Sequence, residues 1–117
     1  MKNEINNLVK RIGDDFAEWN ARCAERESSS LGSEWFENRT QEFRDGLQVL
    51  EGRKYVKIIK TSNGRSVWGF VVKEDGPKFR KGDILMAASW ASPATNAARG
   101  NIIDGDYDIR WTGPNYL

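Results

Sequence analysis

The residues most able to bind a charged partner stand in the run Lys78-Phe79-Arg80-Lys81, where three cations surround one aromatic ring. Cations neutralise phosphate or carboxylate groups, and an exposed ring stacks on bases or fills an apolar pocket. The same run is typical of a solvated basic loop, and the residue types alone do not decide between the two interpretations. The candidate binding set is completed by Trp90, Arg99 and Arg110.

A second candidate surface is the hairpin Lys54–Lys73, in which aromatic and basic residues flank Asn63-Gly64. Asn-Gly is a strong signal for a two-residue hairpin turn, and the turn fixes the register of the strands. The predicted pairs are Tyr55 with Val72, Lys57 with Phe70, Ile59 with Trp68, Lys60 with Val67 and Ser62 with Arg65. Aromatic rings on a basic sheet bind single-stranded nucleic acids. Packing of the rings in the core is the favoured alternative, because the helices need an apolar surface to cover.

Catalytic chemistry is poorly represented in the chain. There is no histidine and only one cysteine, which excludes a histidine triad, a Cys/His zinc cluster and an intramolecular disulfide. Cys23 lies on an apolar stripe, where a buried and unreactive thiol is expected. A metal-dependent carboxylate enzyme stays as an alternative, and its acidic residues would be Asp83, Asp104, Asp106 and Asp108. The favoured interpretation is a protein without catalytic activity, metal or cofactor.

Two helices are predicted to position these surfaces. A first helix over about residues 4–27 is indicated by apolar residues at spacings of three and four, namely Ile5, Leu8, Val9, Ile12, Phe16, Trp19 and Cys23. A break at residues 28–32 follows, and Ser33 is then predicted to cap a second helix that ends near Gly46. The first stripe is predicted to pack within the domain; the alternative is that it binds a second copy of the chain or another partner.

Strands are predicted over the hairpin, over Ile84–Trp90 and over Tyr107–Thr112. Residues 47–50 fit a helix tail or a short strand equally well. Ser92-Pro93 predicts the start of a short helix over 94–99, whose free N–H groups could hold an anion with Arg99. We therefore predict one α+β domain over residues 1–117, with two N-terminal helices packed on an antiparallel sheet of three to five strands and a short helix before the last strand.

Charge divides the chain into two halves. Residues 1–51 are predicted to be mainly helical and residues 52–117 mainly β. Residues 1–52 carry 7 Lys/Arg and 11 Asp/Glu, a net −4, and residues 53–117 carry 11 Lys/Arg and 6 Asp/Glu, a net +5. The polar amino-terminal stretch and the lack of a run of about 20 apolar residues predict a soluble, cytoplasmic protein with no membrane partner.

Three motifs resemble a set of small, uncharacterised proteins of tailed bacteriophages: RSVWGFV, then KGDIL with AASW, PA and ARGNI, then RWTGP with YL. The resemblance covers residues 52–117, whereas residues 1–51 look unlike that family. In the relatives the stretch after AASW tends to be more basic. Here Ala91-Ser92 and Thr95-Asn96 stand there, which lowers the case for nucleic-acid binding.

The resemblance implies a phage accessory protein acting in the host cytoplasm. We predict that it has no enzymatic activity and that it binds and modulates a host protein, as an inhibitor of host or defence functions would. Near-zero net charge and the acidic helical half favour a protein target over general phosphate binding. The alternative is an RNA- or single-stranded-DNA-binding protein that uses the basic, aromatic β half.

Overall fold

The computed structural model describes residues 1–26, 32–61 and 64–114, and it begins with two helices, α1 (Lys2–Arg26) and α2 (Gly32–Asp45). Both predicted helices are confirmed. Helix α2 ends just before Gly46, as predicted, but it begins at Gly32, so Ser33 lies inside its first turn and not ahead of it. The predicted break falls mostly on residues 27–31, which lie outside the described residues.

The two helices pack against each other and onto the sheet through the apolar stripe of α1. Ile5, Leu8, Ile12 and Phe16 are buried there, and Phe43 of α2 stacks on Phe16 with ring centroids 4.2 Å apart. Most of the predicted stripe therefore serves the core of its own domain. A smaller part of the apolar stripe of α1, including Trp19, lies at the surface.

Polar contacts fix how the helices cross. The buried Asn20 side chain donates from Nδ2 to the Phe36 carbonyl oxygen at 2.7 Å and to Thr40 Oγ1 at 2.9 Å. Six residues earlier on α1, Asp14 forms an ion pair with Arg44 of α2 at 3.1 Å. A buried amide with satisfied donors specifies one alignment of the two helices, because any slip would leave it unpaired.

The central sheet has four antiparallel strands in the order β1-β2-β3-β4. Their bounds are β1 Gln48–Glu51, β2 Tyr55–Lys60, β3 Ser66–Val72 and β4 Ile84–Leu85. Strand β1 settles the open alternative at residues 47–50 in favour of a strand. The third predicted strand is much shorter than expected, because residues 86–90 leave the sheet after Leu85.

A β-bulge changes the predicted register of the hairpin. Tyr55 pairs with Val72 and Lys57 with Phe70 as predicted, but the pairing shifts after Ile58. Ile58 pairs with Gly69 and Ile59 with Val67, so Trp68 is an extra residue between them. The predictions that Ile59 faces Trp68 and that Lys60 faces Val67 are therefore wrong, and Lys60 pairs with Ser66. Of the predicted turn, Ser62 and Asn63 lie outside the described residues, and Gly64 has a φ of 98°, in the left-handed region that glycine favours.

The bulge divides the hairpin between two apolar clusters. On the side that we call the helix face, Val56, Ile58 and Trp68 pack with α1 and α2. On the opposite side, the loop face, Phe70, Val72 and Leu85 are covered by residues of the 79–98 segment. Both Trp68 and Phe70 are buried, as predicted, but on opposite faces. Without the extra residue they would share one face.

The end of the chain forms two small two-stranded ladders. Strand β5 (Gly100–Asn101) pairs with β6 (Asp106–Tyr107), and β7 (Ile109–Arg110) pairs with β8 (Gly113–Pro114). The single last strand predicted over residues 107–112 is therefore wrong: the stretch is split at Asp108. Gly113-Pro114, just beyond the predicted strand, forms β8 and pairs with Ile109 and Arg110.

The predicted short helix over residues 94–99 is also wrong; these residues are all described and none is helical. Pro93 forms a β-bridge with Ala87, the Ala94 N–H donates to the Met86 carbonyl oxygen at 2.7 Å, and the Arg99 N–H donates to that of Ile84 at 2.8 Å. Backbone groups that a helix would pair locally are thus used to hold the segment over the loop face.

Residues from the far end of the chain complete the helical layer. The backbone N–H of Trp111 donates to Asp15 Oδ2 at 2.7 Å, and Arg11 donates to the Tyr107 carbonyl oxygen at 3.0 Å. The Trp111 ring meets Phe16 edge-on at 5.1 Å. The α+β prediction is confirmed, and within the described ranges neither helix is long and apolar enough to cross a bilayer.

Candidate functional site

The predicted basic run 78–81 is largely tied to neighbouring segments. Lys78 donates to the carbonyl oxygen of Thr95, and Arg80 forms an ion pair with Asp104 at 2.8 Å. The hydrogen bond with Asp104 raises the pKa of the Arg80 guanidinium. Phe79 is half-buried against the loop-face cluster. Lys81 keeps an exposed side chain while its backbone N–H donates to Asp75 Oδ1. The run is therefore a fixed loop in which two of the three cations have partners.

A buried amide holds this loop in place. Asn101 donates from Nδ2 to the Lys81 carbonyl oxygen and to Asp83 Oδ1, both at 2.9 Å. Its Oδ1 accepts from the backbone N–H groups of Ile103 at 2.8 Å and Asp104 at 3.1 Å. We call these contacts the Asn101 network. It joins the basic loop to residues 101–104 and uses Asp83 as a structural acceptor.

Trp90 is the most exposed aromatic side chain in the described chain, with 47% of its surface accessible. Lys57 Nζ lies 4.8 Å and Arg65 Cζ 5.5 Å from the centre of its ring. Leu50 is the cross-strand partner of Lys57 and is 46% exposed. These four residues are the Trp90 surface. Only Trp90 belongs to the set chosen from the sequence; the other three come from the hairpin and from β1.

The Trp90 surface continues into a basic cleft. A shallow depression lined by Leu50, Lys57 and Ala91 also includes Arg53 and Lys54, from the tight turn between β1 and β2. Arg53 and Lys54 in turn line a cleft of about 410 Å³ that also holds Tyr55, Lys78, Phe79 and Thr95. Two acidic residues, Glu74 and Asp75, line it as well, so the three cations exceed the acidic groups by one. Sequence reasoning missed Arg53 and included Lys54 only as the first residue of the hairpin surface. Their signal was two adjacent cations after Gly52, at the turn.

The remaining two predicted residues lie in other places. Arg99 is half-buried, and its Nη1 donates to the Ala97 carbonyl oxygen at 2.9 Å and to Asn96 Oδ1 at 3.2 Å. Arg110 forms an ion pair with Asp108 at 3.3 Å and lines a separate cleft beside Trp19 and Trp111. The seven predicted residues therefore do not form one site. Lys78 and Phe79 share the basic cleft, Trp90 stands on the surface next to it, and Arg110 is elsewhere.

The acidic residues that a metal-dependent enzyme would use instead contact other protein groups, in the three cases in which the side chain is described. Asp83 belongs to the Asn101 network, Asp104 pairs with Arg80, and Asp108 pairs with Arg110. The side chain of Asp106 is outside the described part. Among the described side chains, no group of three or more Asp, Glu or Cys residues is placed to hold a metal ion.

Comparison with known proteins identifies the family. The model of a family of unknown function, DUF7717, matches residues 1–112, and the chain belongs to that family. The match includes residues 1–51, so the helical half is part of the region that the family model describes, whereas the resemblance to phage proteins had covered the β half alone. No curated protein and no solved structure matches the chain.

Proposed function

We propose that this member of a family of unknown function is a non-enzymatic accessory protein of a tailed phage that binds and modulates a host protein in the host cytoplasm. The Trp90 surface is the observation that carries the proposal. It combines an exposed indole, an exposed leucine and two cations. Tryptophan and arginine dominate the residues whose loss weakens protein interfaces most. The phage origin is supported by the three sequence motifs of the β half.

A protein partner fits the loop face better than a nucleic acid does. Stacking of successive bases needs several accessible rings, but Phe70 is 2% exposed and Trp68 is buried on the other face. Trp90, the most exposed ring among the described residues, already has two cations beside it. In the basic loop, Lys78 and Arg80 are paired within the chain. The surface therefore offers an apolar and aromatic patch with a basic border.

The test is a pull-down from lysate of the bacterial host, at moderate salt and after nuclease treatment. We expect the protein to retain one host protein in stoichiometric amount. Trp90→Ala should weaken the affinity for that protein by about tenfold or more, because an interface loses about 2 kcal/mol when a central tryptophan is removed. Isothermal titration with the purified partner measures the change.

Ile103→Ala is the matched control, since Ile103 is an exposed apolar residue that lies beside Gly82 and does not belong to the Trp90 surface. Its affinity should equal that of the unchanged protein. Recovery of no stoichiometric protein would contradict the proposal. If nuclease treatment instead removes all binding, and the affinity falls steeply with salt and on replacement of Lys78, Arg80 and Lys81, the protein is a nucleic-acid binder.

A further inference from the structure

Strand β1 is an edge of the sheet, and no strand among the described residues pairs with its outer side. It occupies one end of the strand order, and all four of its side chains are exposed, with Val49 at 43% and Leu50 at 46%. Sheet edges are usually protected from pairing with other chains by lysine, proline, a bulge or a covering segment. The sequence of β1, Gln-Val-Leu-Glu, contains neither lysine nor proline, and the bulge lies between β2 and β3. Its one charged side chain, Glu51, is paired with Lys73 at 3.4 Å.

The backbone of β1 has groups directed outward. The Gly52 N–H donates to the Tyr55 carbonyl oxygen at 2.9 Å, which makes these two residues a hydrogen-bonded pair. Such pairs alternate along an antiparallel ladder, so Leu50 and Gln48 bond to β2. The backbone N–H and C=O groups of Val49 and Glu51 therefore point away from β2, toward the open edge.

We propose that β1 binds an extended, acidic segment of the partner protein as an additional strand. This inference rests on the proposed function and names the mode of recognition. The outward groups of Val49 and Glu51 supply main-chain hydrogen bonds, as in other cases of strand addition. Side chains of the added strand on the loop face meet Leu50 and Trp90, and its carboxylates pair with Lys57 and Arg65.

Charge favours an acidic segment over a second copy of the chain. Lys57 is the cross-strand partner of Leu50, and Arg65 reaches across the loop face to Gln48 Oε1 at 3.0 Å. Arg53 and Lys54 follow at the end of the strand. In symmetric antiparallel pairing of two β1 strands, the Gly52 end of each strand lies beside the Gln48 end of the other, so Arg53 and Lys54 come near Arg65 of the second copy, and this approach of like charges is unfavourable. Carboxylates spaced along an extended peptide meet them instead.

The first test uses a synthetic peptide of about eight residues, the length of a long strand, with alternating Val and Glu. In amide-detected NMR titrations of the full chain, the Val49 and Glu51 resonances should shift and their hydrogen exchange should slow. The same peptide with N-methyl groups on alternate residues keeps its side chains and charge but cannot complete the ladder. It should bind about tenfold more weakly or worse, because several main-chain hydrogen bonds are lost.

Two variants locate the site. Val49→Pro removes an outward N–H without removing a bond to β2, a position at which a sheet edge tolerates proline. It should weaken peptide binding by about tenfold or more. The double variant Lys57→Glu, Arg65→Glu should also weaken peptide binding, because it repels the carboxylates of the peptide. A peptide with Lys in place of Glu should not bind the unchanged protein. The Ile103→Ala protein is again the control.

Several results would overturn the inference. Equal binding of the N-methylated and the unmodified peptide would show a purely electrostatic contact. This comparison uses only the unchanged protein, so it does not depend on the folding of a variant. A dimer in sedimentation experiments that Val49→Pro dissociates would show that a second copy occupies the edge. Shifts of the same amides with oligothymidylate, and none with the peptide, would show a nucleic-acid ligand. If Val49→Pro retains the host partner in the pull-down, the edge-strand mode is wrong while the proposed function stands; if nothing is retained by the unchanged protein, the function itself fails.

Discussion

Trp68→Ala should lower the free energy of unfolding by about 3–5 kcal/mol, the usual cost of truncating a buried aromatic side chain. Trp68 is the largest of the fully buried side chains, at 1% exposure, and it packs with Val56, Ile58 and the helices. Its Nε1 also donates to the Arg110 carbonyl oxygen at 2.8 Å, which links β3 to the end of the chain. Urea denaturation followed by far-UV circular dichroism measures the loss.

Two further variants separate packing from hydrogen bonding. Trp68→Phe keeps much of the ring but leaves the Arg110 carbonyl oxygen without its donor, so it should cost about 1–3 kcal/mol. Trp90→Ala removes an indole of the same size from the surface and should change stability by no more than about 0.5 kcal/mol. A loss below about 1 kcal/mol for Trp68→Ala would contradict the placement of Trp68 in the core.

Asn101→Ala should lower the free energy of unfolding by about 2–4 kcal/mol, because it leaves several buried polar groups unpaired at once. Asn101 and Asp83 are both buried, and the Asn101 amide serves two acceptors and two donors. Without it, the Asp83 carboxylate keeps its bond from the Arg80 N–H but loses its contact with the β5 strand. Urea denaturation gives the size of the effect.

Amide hydrogen exchange shows where Asn101→Ala destabilises the protein. The Ile103 and Asp104 N–H groups lose their acceptor and should therefore exchange faster. Asn96→Ala is the control: Asn96 Oδ1 also accepts from two donors, but the residue is exposed, so the change should stay below about 1 kcal/mol. Unchanged exchange at Ile103 and Asp104 in Asn101→Ala would show that the network does not hold this loop.

The sequence predicts the helices, the hairpin and the α+β class, because these depend on periodicity and local turn signals. It does not predict the bulge, because strict alternation assigns Trp68 to the loop face. One signal was present: Gly69 stands inside a strand, where glycine often marks a bulge or a close approach. A Cβ at Gly69 would lie 3.0 Å from both the Leu85 carbonyl oxygen and Pro114 Cγ, so a larger residue there would press on the β4 backbone and on Pro114.

The wrong helix at residues 94–99 has a different cause. Ser92-Pro93 is a good local signal for the start of a helix. The segment is nevertheless stabilised more by covering the loop face, with hydrogen bonds to Met86 and Ile84, than it would be by one or two helical turns. Short helices are marginal without tertiary packing. Contacts with strand β4 therefore override the local preference.

The candidate site was predictable only in part. Trp90 and the basic loop stand out by residue type, and both belong to the loop-face side. Leu50 and Lys57 come together only because β1 pairs with β2, and the sequence leaves residues 47–50 open between helix and strand. The Asn101 network was missed because an isolated asparagine after a glycine is usual in turns and has no pattern of its own.

The contacts between α1 and the end of the chain have a consequence for synthesis on the ribosome. Asp15 and Trp111 are hydrogen-bonded although they are 96 positions apart. Closing so long a loop costs entropy that is recovered only after the intervening sheet has formed. During translation, therefore, α1 leaves the ribosome well before Trp111 can pack on it, with Phe16 and Trp19 still accessible. That aromatic stretch is where we expect a chaperone to hold the nascent chain.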